Sequence, residues 1–343
     1  MKPSLLAYLA CPSCRADLTV VHDTMSGGEI VSGALRCTGC AQEFPIDDGL
    51  PVFVTTEGDP SVEQTTDGFA RNWIHFNEVI IAEERLNDDL FRDWIAPVDP
   101  AHFHDKAVLE VGCGMGRWLS VASRYAPRDL IGLDYSRAAT AAHNNTRMLP
   151  HVHVVRADLF HMPFKRVFDH IYSIGVIHHT PDPAGGFDEM AKKIVDDGSI
   201  SCWVYGREGN DWIINYLNPF RTQVSTKLPH SALAALTKVA ALGLYGASKV
   251  YSRLPAPVLE HLFYADYIKH LARYPRKYME HIVYDHLVPE IAEYVPKEEV
   301  ERWAQKNHLA YRISQRNGNS WRLFAGPNEA ALQAMCSNPA TAV

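Results

Sequence analysis

The chain has 343 residues, of which 47% are apolar and 21% charged, with a formal net charge of −7 at pH 7. This length favours a main domain with one or two smaller units, and this composition excludes a disordered chain. The acidic balance also argues against a surface that follows nucleic-acid phosphates, so nucleic acid is not the expected partner.

The N-terminal stretch has one lysine and a short apolar run, but neither a long apolar region nor a small-residue cleavage site. No uninterrupted apolar run reaches the roughly 18 residues that cross a bilayer. We therefore expect a cytoplasmic protein without a transmembrane segment.

The first predicted unit, residues 1–55, contains four of the seven cysteines in two Cys-x-x-Cys pairs, with β-prone residues around a Gly27-Gly28 turn. These cysteines are Cys11, Cys14, Cys37 and Cys40. The 22 residues between the pairs suit two knuckles that present four thiolates tetrahedrally. In a cytosolic chain this spacing favours a metal over disulfides, and a closed site has no open position for substrate. We predict a structural zinc ion, held in a ribbon of two short hairpins.

The segment from Phe44 to Pro51 makes this unit resemble the small zinc-ribbon activator proteins that partner methyltransferases acting on translation components. The resemblance implies a ribbon fused to its enzyme and raises RNA as a substrate. Residues 1–60 contain three Lys or Arg against eight Asp or Glu, a balance of −5. We expect so acidic a ribbon to pack on the enzyme or dock a protein rather than bind RNA.

A linker rich in Thr, Asp, Glu and Gly follows at residues 56–68. Apolar residues from Phe69 to Trp94 then recur at helical spacing. They predict one or two amphipathic helices over residues 69–104, ended by Pro97 and Pro100.

Strands and helices alternate over residues 105–205, and two further strands are predicted in residues 286–327. The strands are expected near 106–111, 129–134, 152–156, 168–174, 198–205, 309–314 and 320–325. This alternation predicts an α/β fold with a doubly wound, mostly parallel, seven-stranded sheet. A helical insertion at 206–285 interrupts the pattern, and residues 328–343 are expected to form a loose tail.

The first core strand ends in a glycine turn, Glu110-Val111-Gly112-Cys113-Gly114-Met115-Gly116. Backbone N–H groups of such a turn face a polar ligand at the carboxyl edge of a parallel sheet. A dinucleotide turn would need its third glycine where Arg117 stands, so the pattern departs from that class. The next strand ends in Asp134, about twenty residues later, where a carboxylate can accept bonds from both hydroxyls of a ribose.

This G-x-G-x-G turn, with an acid two residues before the first glycine, resembles motif I of the class I, Rossmann-like S-adenosylmethionine methyltransferases. The resemblance covers roughly residues 105–205 and, more weakly, the closing strands. It implies S-adenosylmethionine as the cofactor, with Asp158 at the adenine amino group and the Leu159 N–H beside it. The implied cofactor-binding residues are Glu110, Gly112, Gly114, Gly116, Asp134, Asp158 and Leu159.

The resemblance also implies that the helices over 69–104 cover the cofactor, with Phe69, Arg71 and Trp73 as candidate lining residues. For Trp73 the same apolar stripe favours packing on the sheet over a place in the cofactor cover. For the turn, the alternative is that it only packs a helix on a strand, while Asp134 and Asp158 cap helices.

The fourth core strand leads into a segment that contains His178 and His179 and resembles the post-strand segment of small-molecule methyltransferases. Methyl transfer is an in-line displacement, and a base is needed only when the nucleophile must lose a proton. We predict His178, and after it His179, as a base or orienting group, because histidine suits proton transfer at neutral pH. The alternative is that one ring packs inward and the other shapes the loop.

The insertion contains ten Lys or Arg against six Asp or Glu, a balance of +4 in an otherwise acidic chain. Between Tyr264 and Tyr278 aromatic and cationic residues interleave, which suits an anionic or glycosylated small molecule; the alternative is a solvated helix face. The apolar stretch Leu233–Val250 is expected to be buried on the core, with contact to lipid or to a second copy in a homodimer as alternatives.

Three functional classes remain open. We expect methyl transfer to a small metabolite, such as a natural product, sugar or lipid precursor. The first alternative is a methyltransferase for tRNA, rRNA or a translation protein, and the second is a non-catalytic or nucleotide-binding Rossmann protein.

Overall fold

A computed structural model of the protein describes residues 1–54 and 60–336. Its N-terminal unit is a four-stranded antiparallel sheet whose strands follow one another in chain order. The strands are β1 (Leu18–Ser26), β2 (Glu29–Cys37), β3 (Glu43–Asp47) and β4 (Leu50–Pro51). Gly27 and Gly28, with φ of 59° and 82°, turn the chain between β1 and β2. The ribbon is therefore one long hairpin followed by a short one, rather than two short hairpins.

Two helices, α1 (Pro60–Ile81) and α2 (Glu84–Ile95), follow the ribbon. The predicted linker at 56–68 is wrong from Pro60 onward, and residues 56–59 lie outside the described part of the chain. Proline as the first helical residue and Glu63 in the first turn both favour a helix start here.

The core strands form one seven-stranded sheet in the order β10-β11-β9-β8-β5-β6-β7. They are β5 (Ala107–Val111), β6 (Asp129–Asp134), β7 (Val152–Arg156), β8 (Phe168–Ile174), β9 (Ile194–Tyr205), β10 (Ala310–Arg316) and β11 (Ser320–Gly326). Strands β5 to β9 pair in parallel, whereas β11 pairs antiparallel with β9 and β10. The predicted doubly wound, mostly parallel fold is confirmed.

Helices lie between the strands and in the insertion. They are α3 (Arg117–Ala122), α4 (Ala138–Thr146), α5 (Pro183–Ala191), α6 (Asn218–Gln223), α7 (His230–Tyr251), α8 (Ala256–Leu259), α9 (Ala265–Leu271), α10 (Arg276–Leu287), α11 (Lys297–Lys306) and α12 (Glu329–Met335). Helix α10 passes the predicted end of the insertion at residue 285. Helix α12 corrects the predicted tail, of which residues 337–343 lie outside the described part.

Strand β5 fixes the position of the site. All five of its residues are buried, as expected for a parallel strand that is covered on both faces. It lies between β8 and β6, where the strand order reverses. In such sheets a crevice for ligands opens at the carboxyl ends of the strands at this point, so the glycine turn after β5 borders it.

The ribbon packs against the edge of the core sheet. Val52 pairs in parallel with Arg156 of β7, and the Phe53 N–H donates to the Arg156 carbonyl at 2.8 Å. A second contact is made before β1, where Leu9 forms an antiparallel bridge with Phe164, which lies between β7 and β8. Buried ribbon residues belong to the same apolar cluster as the strands of the seven-stranded sheet, so the ribbon and that sheet share a core.

Helix α7 packs on the core along one side and is exposed along the other, which corrects its expected full burial. Of its 22 residues only Leu233, Thr237, Ala241 and Ser248 are buried. Among the described helices it alone is long and apolar enough to cross a membrane by length and composition, with a mean hydropathy of 1.2. By those two criteria α7 is a candidate for a membrane span, and the expected absence of a membrane-spanning segment stays a prediction. Core helices of soluble proteins also meet them, so they are weak grounds for a span.

Candidate active site

The glycine turn adopts a backbone that only glycine adopts readily. Gly112 and Gly116 have φ of 77° and 82°, and a Cβ at Gly112 would overlap the Val176 side chain. The Gly112 and Cys113 N–H groups both donate to the Leu133 carbonyl, at 2.7 and 3.0 Å. These bonds hold the turn against the end of β6, beside Asp134.

A cavity of about 670 Å³ follows the carboxyl edge of the sheet. Its lining brings together five of the predicted cofactor-binding residues: Gly112, Gly114, Asp134, Asp158 and Leu159. Gly116 and Glu110 are outside this lining. The ribbon contributes Pro12, Ser13, Gln42, Phe44 and Phe53 to the same wall, so it borders the cavity as well as the sheet.

Asp134 is held in place by three hydrogen bonds. Its Oδ2 accepts from the Gly114 N–H at 2.8 Å, and its Oδ1 accepts from the Ser136 N–H and hydroxyl at 2.8 and 2.6 Å. Burial raises the pKa of this carboxyl, and the bonds from Ser136 and Gly114 oppose that rise. A carboxylate offers about four acceptor positions, so one remains for a ribose hydroxyl and a second opens if the Ser136 hydroxyl turns away.

Asp158 fits both interpretations that the sequence left open, a helix cap and a residue of the cofactor site. It caps a short helical turn, since its Oδ1 accepts from the Phe160 N–H at 3.0 Å, while it also lines the cavity. His161 Nδ1 lies 2.8 Å from the other carboxyl oxygen. Leu159 is buried beside it in the cavity wall.

Glu110 does not reach the cavity, which corrects its predicted direct contact with the cofactor. Side chains alternate along a strand, so Glu110 points to the face opposite its neighbour Val111, which lines the cavity. The Tyr172 hydroxyl, opposite in register on β8, donates to Glu110 Oε2 at 3.1 Å. Burial raises the pKa of this carboxyl to about 8. Because it is buried against Tyr172, Glu110 is a packing residue and not a residue that binds the cofactor.

The two predicted histidines are neighbours, with ring centroids 4.2 Å apart, but only one of them lines the cavity. His178 is fully buried outside the cavity lining, and its ring lies 4.0 Å from that of Tyr205. His179 lines the cavity, and its Nδ1 donates to the Ile291 carbonyl at 2.8 Å, which leaves Nε2 as an acceptor. The structure therefore reverses the predicted order and favours His179, because packing takes the His178 ring away from the site.

Beyond the glycine turn, the cavity enters a part that we call the aromatic chamber. It is lined by Trp73, Trp94, Trp203, Tyr205, Tyr267, Tyr274, Tyr278, His281, Asp285 and His286. Sequence reasoning did not single out His281 or Asp285, although their spacing of four residues would put both on one face of a helix. Phe69 lines the cavity as predicted, and Trp73 also lines it, although packing on the sheet was the preferred interpretation for Trp73. Arg71 is exposed and lies outside the lining.

The interleaved tyrosines and cations of the insertion separate in the structure. Tyr274 and Tyr278 are buried in the chamber wall, while Arg276 and Lys277 are exposed. Neighbouring positions of a helix point to different faces, so these tyrosines and cations cannot form one surface. Among the described residues, the Lys and Arg side chains that line the cavity are Arg117 and Arg316, and Arg316 Nε donates to Asp93 at 2.8 Å. The predicted surface for an anionic or glycosylated molecule is therefore not formed.

The four predicted zinc ligands come together in the ribbon. All four sulfur atoms lie within 4.8 Å of one another, with 3.7 Å between Cys11 and Cys40 and 3.3 Å between Cys14 and Cys37. A tetrahedral zinc site with Zn–S bonds of about 2.3 Å separates its sulfurs by about 3.8 Å. The donor set and spacing suit structural zinc.

Comparison with known proteins identifies two regions. Residues 109–202 match the family described as "Methyltransferase domain", and residues 2–49 match that described as "Trm112p-like protein". The chain is a methyltransferase-domain protein with a Trm112p-like N-terminal region. The predicted family is thereby confirmed, together with S-adenosylmethionine as its cofactor and a cysteine cluster suited to zinc.

Curated relatives match parts of this chain. A tRNA U34 carboxymethyltransferase of Aliarcobacter butzleri is 27% identical over 117 residues, covering 32% of this chain and 37% of that protein. The sterol 24-C-methyltransferase erg6 of Schizosaccharomyces pombe is 31% identical over 101 residues, covering 28% and 27%. A UPF0434 protein of Azotobacter vinelandii is 37% identical over 57 residues, covering 17% and 80%. The chain thus spans only 37% of the first of these relatives and 27% of the second.

Proposed function

We propose that this protein transfers a methyl group from S-adenosylmethionine to a small-molecule acceptor by in-line displacement. The observation that carries the proposal is the continuity of the cavity. The wall formed by the glycine turn, Asp134 and Asp158 runs directly into the aromatic chamber, so cofactor and acceptor would share one enclosed space. Metabolites, natural products and sugar or lipid precursors fit this description.

The chain's own residues would bind and orient the reactants. The turn at Gly112–Gly114 lets the cofactor approach the backbone, Asp134 accepts from its ribose, and Asp158 with Leu159 faces its adenine. The bound cofactor supplies an electrophilic methyl group on a sulfonium. Because the displacement needs near-linear geometry at short range, positioning by the chamber walls supplies much of the rate. His179 Nε2 would accept a hydrogen bond from the acceptor, since Nδ1 already donates to the Ile291 carbonyl.

The alternative is a methyltransferase for tRNA, rRNA or a translation protein. It is favoured by the name of the Aliarcobacter relative and by the Trm112p-like ribbon. The acidic ribbon and the enclosed chamber favour a small molecule instead. Binding of tRNA that weakens steeply with salt would support the alternative.

A homodimer through the insertion stays a prediction. Val239 and Leu242 of α7 are 74% and 58% exposed, which supports a contact on that face. Sedimentation of the purified protein measures its oligomeric state directly, and a concentration-independent monomer would contradict the dimer.

The cofactor assignment is tested by calorimetry with S-adenosylhomocysteine. We expect micromolar binding that Asp134→Ala weakens by about 100-fold, since the variant loses charge-assisted bonds to the ribose. Asp129→Ala is not a fair control because Asp129 bonds Tyr8, whereas Asp211→Ala is exposed and should bind normally. Absence of binding by the unaltered protein would overturn the proposed function. A metabolite extract with a labelled methyl donor then identifies the acceptor.

A further inference from the structure

The aromatic chamber contains one carboxyl group of its own. Among the described residues that line the cavity only three are acidic, and Asp134 and Asp158 belong to the cofactor end. The third is Asp285 on α10, in the part built by the insertion. Its side chain is 23% exposed, and as a lining residue it presents that surface to the cavity.

Two residues hold the Asp285 carboxyl in place. Asn72 Nδ2, from α1, donates to Oδ1 at 2.5 Å, and His281 Nε2 lies 3.5 Å from Oδ2. The Asn72 amide has no acidic proton, and His281, although it lines the chamber, exposes only 3% of its side chain against 23% for Asp285. Both are positioning residues, and Asp285 is the group that a ligand can reach.

A short path of packed rings links this carboxyl to the glycine turn. A Cβ added to Gly114 would lie 3.7 Å from the Trp73 indole. On its other side, the Trp73 ring lies 4.5 Å from the ring of His281, the neighbour of Asp285. The rings of Trp73 and His281 therefore lie between the Asp285 carboxyl and the turn that would hold the methyl donor.

The charge state of Asp285 suits proton transfer near neutral pH. Burial raises its pKa to about 7, and the Asn72 bond and the Arg117 charge on α3 limit that rise. The other titratable groups that face it are Tyr205 on β9, Tyr267 on α9, and Tyr278, His281 and Tyr284 on α10. By contrast, burial lowers the pKa of His179 to about 3, so its ring is a poor proton acceptor.

The chamber walls favour a flat aromatic molecule. The indoles of Trp94 and Trp203 are stacked with their centroids 5.3 Å apart, and Tyr205 lies edge-on to Trp203 at 5.5 Å. Faces and edges of aromatic rings pack well on another ring. A phenolic hydroxyl has a pKa of about 10, within reach of a carboxylate near 7, whereas an aliphatic alcohol is far more basic once deprotonated.

We propose, building on the proposed function, that the aromatic chamber binds a phenolic acceptor and that Asp285 takes the proton of its hydroxyl during methyl transfer. The phenol O–H bond breaks, and the proton passes to an Asp285 oxygen. The freed electron pair of the phenol oxygen forms the bond to the methyl carbon. The bond between that carbon and sulfur breaks, and its electron pair remains on sulfur, which becomes a neutral thioether.

The first test measures binding without turnover. The full chain with bound S-adenosylhomocysteine is titrated calorimetrically with phenol, catechol and 2-naphthol, and with anisole, which lacks the acidic proton. Near pH 8 we expect a phenol to bind about tenfold more tightly than anisole, because the Asp285 carboxylate accepts a charge-assisted bond. This preference should fade as the pH falls through about 7, where the carboxylate is protonated.

Matched variants make the test specific. Asp285→Asn keeps the size and the Asn72 contact, and it should abolish the preference and its pH dependence. Asp266→Asn changes an exposed acid of the same insertion and should preserve both. Circular dichroism and unchanged S-adenosylhomocysteine affinity establish that each variant folds.

The second test follows methyl transfer to the phenol that binds best. Asp285→Asn should lower kcat by about 100-fold with a smaller change in KM, since general-base catalysis contributes in that range. Asp285→Glu should restore part of the rate. Two results would overturn the proposal: equal binding of anisole and every phenol, or a preference for phenols that survives Asp285→Asn. Failure to bind S-adenosylhomocysteine would instead contradict the proposed function.

Discussion

Glu110 and Asp285 are buried carboxyls with different surroundings. Glu110 is 1% exposed and meets the Tyr172 hydroxyl, whereas Asp285 is partly open to the cavity and is held by Asn72. Burial raises the pKa of both, to about 8 and about 7. The first is suited to packing and the second to proton exchange, because only the second can meet a ligand.

Glu110→Gln should stabilise the protein increasingly as the pH rises. The folded-state pKa of Glu110 lies above its usual 4.5, at about 8, so the folded state binds this proton more tightly than the unfolded state. Its contribution to the free energy of unfolding is therefore fully present below about pH 4.5 and is lost as the pH rises through about 8. Glutamine avoids that loss, which is on the order of 4 kcal/mol.

Chemical denaturation of both proteins near pH 5 and near pH 8 measures this difference. Glu78→Gln changes an exposed glutamate on α1 and should show no such trend. A difference in stability between Glu110→Gln and the unaltered protein that stays constant with pH would contradict a buried, protonated Glu110.

His179→Gln and His178→Gln should have different effects. His179 faces the cavity and is placed to orient the acceptor, so its replacement should raise the acceptor KM about tenfold with little change in kcat. His178 is buried against Tyr205, so its replacement should lower the free energy of unfolding by about 1 to 3 kcal/mol. Steady-state kinetics and denaturation measure the two effects. Unchanged kinetics in the first variant would remove His179 from the site.

At the scale of elements, the strand ends carry most of the predicted cofactor site. The turn after β5 and the acid at the end of β6 could be recognised because their spacing follows from strand length and the parallel arrangement. The side-chain direction within a strand could also have been recognised, since alternation sends Glu110 away from the cavity. By contrast, the packing of α1 against α10 could not be predicted, because no local pattern in the sequence indicates it.

Gly112→Ala tests the turn itself. The backbone at Gly112 has a φ of 77°, and an added Cβ would overlap Val176. We expect a loss of about 1 to 3 kcal/mol in the free energy of unfolding, partly recovered when Val176→Ala removes the overlap but not the strained φ.

Gly243→Ala is the matched control, because a Cβ there meets open space within α7. It should be neutral or stabilise the protein by up to about 1 kcal/mol, as alanine favours helix. Equal effects of the two alanines in thermal unfolding would show that the turn does not require glycine.

At the scale of the whole molecule, zinc and cofactor binding should be coupled. The zinc ligands hold a ribbon that shares the core cluster and gives Phe44 and Phe53 to the cavity wall. Chelation, or Cys37→Ser, should therefore lower the Tm by several degrees and raise the Kd of S-adenosylhomocysteine about tenfold.

Calorimetry before and after chelation measures this coupling, and restored zinc should reverse it. Cys336→Ser changes a partly buried cysteine remote from the cluster in sequence and serves as the control. Unchanged cofactor affinity in a protein shown to have lost its metal would contradict the coupling.

The sequence by itself determined the sheet, the zinc cluster and most of the cofactor wall. These features depend on short-range rules: strand and helix periodicity, cysteine spacing and the conformational freedom of glycine. Only the tertiary structure decided that α1 starts at Pro60, that His178 turns away from the cavity, and that Asp285 faces it. The insertion joins the site through contacts between residues about 200 positions apart, such as Asn72 with Asp285, and no local pattern encodes contacts of that range. The acceptor site therefore depends on how distant helices pack, while the cofactor site depends on where neighbouring strands end.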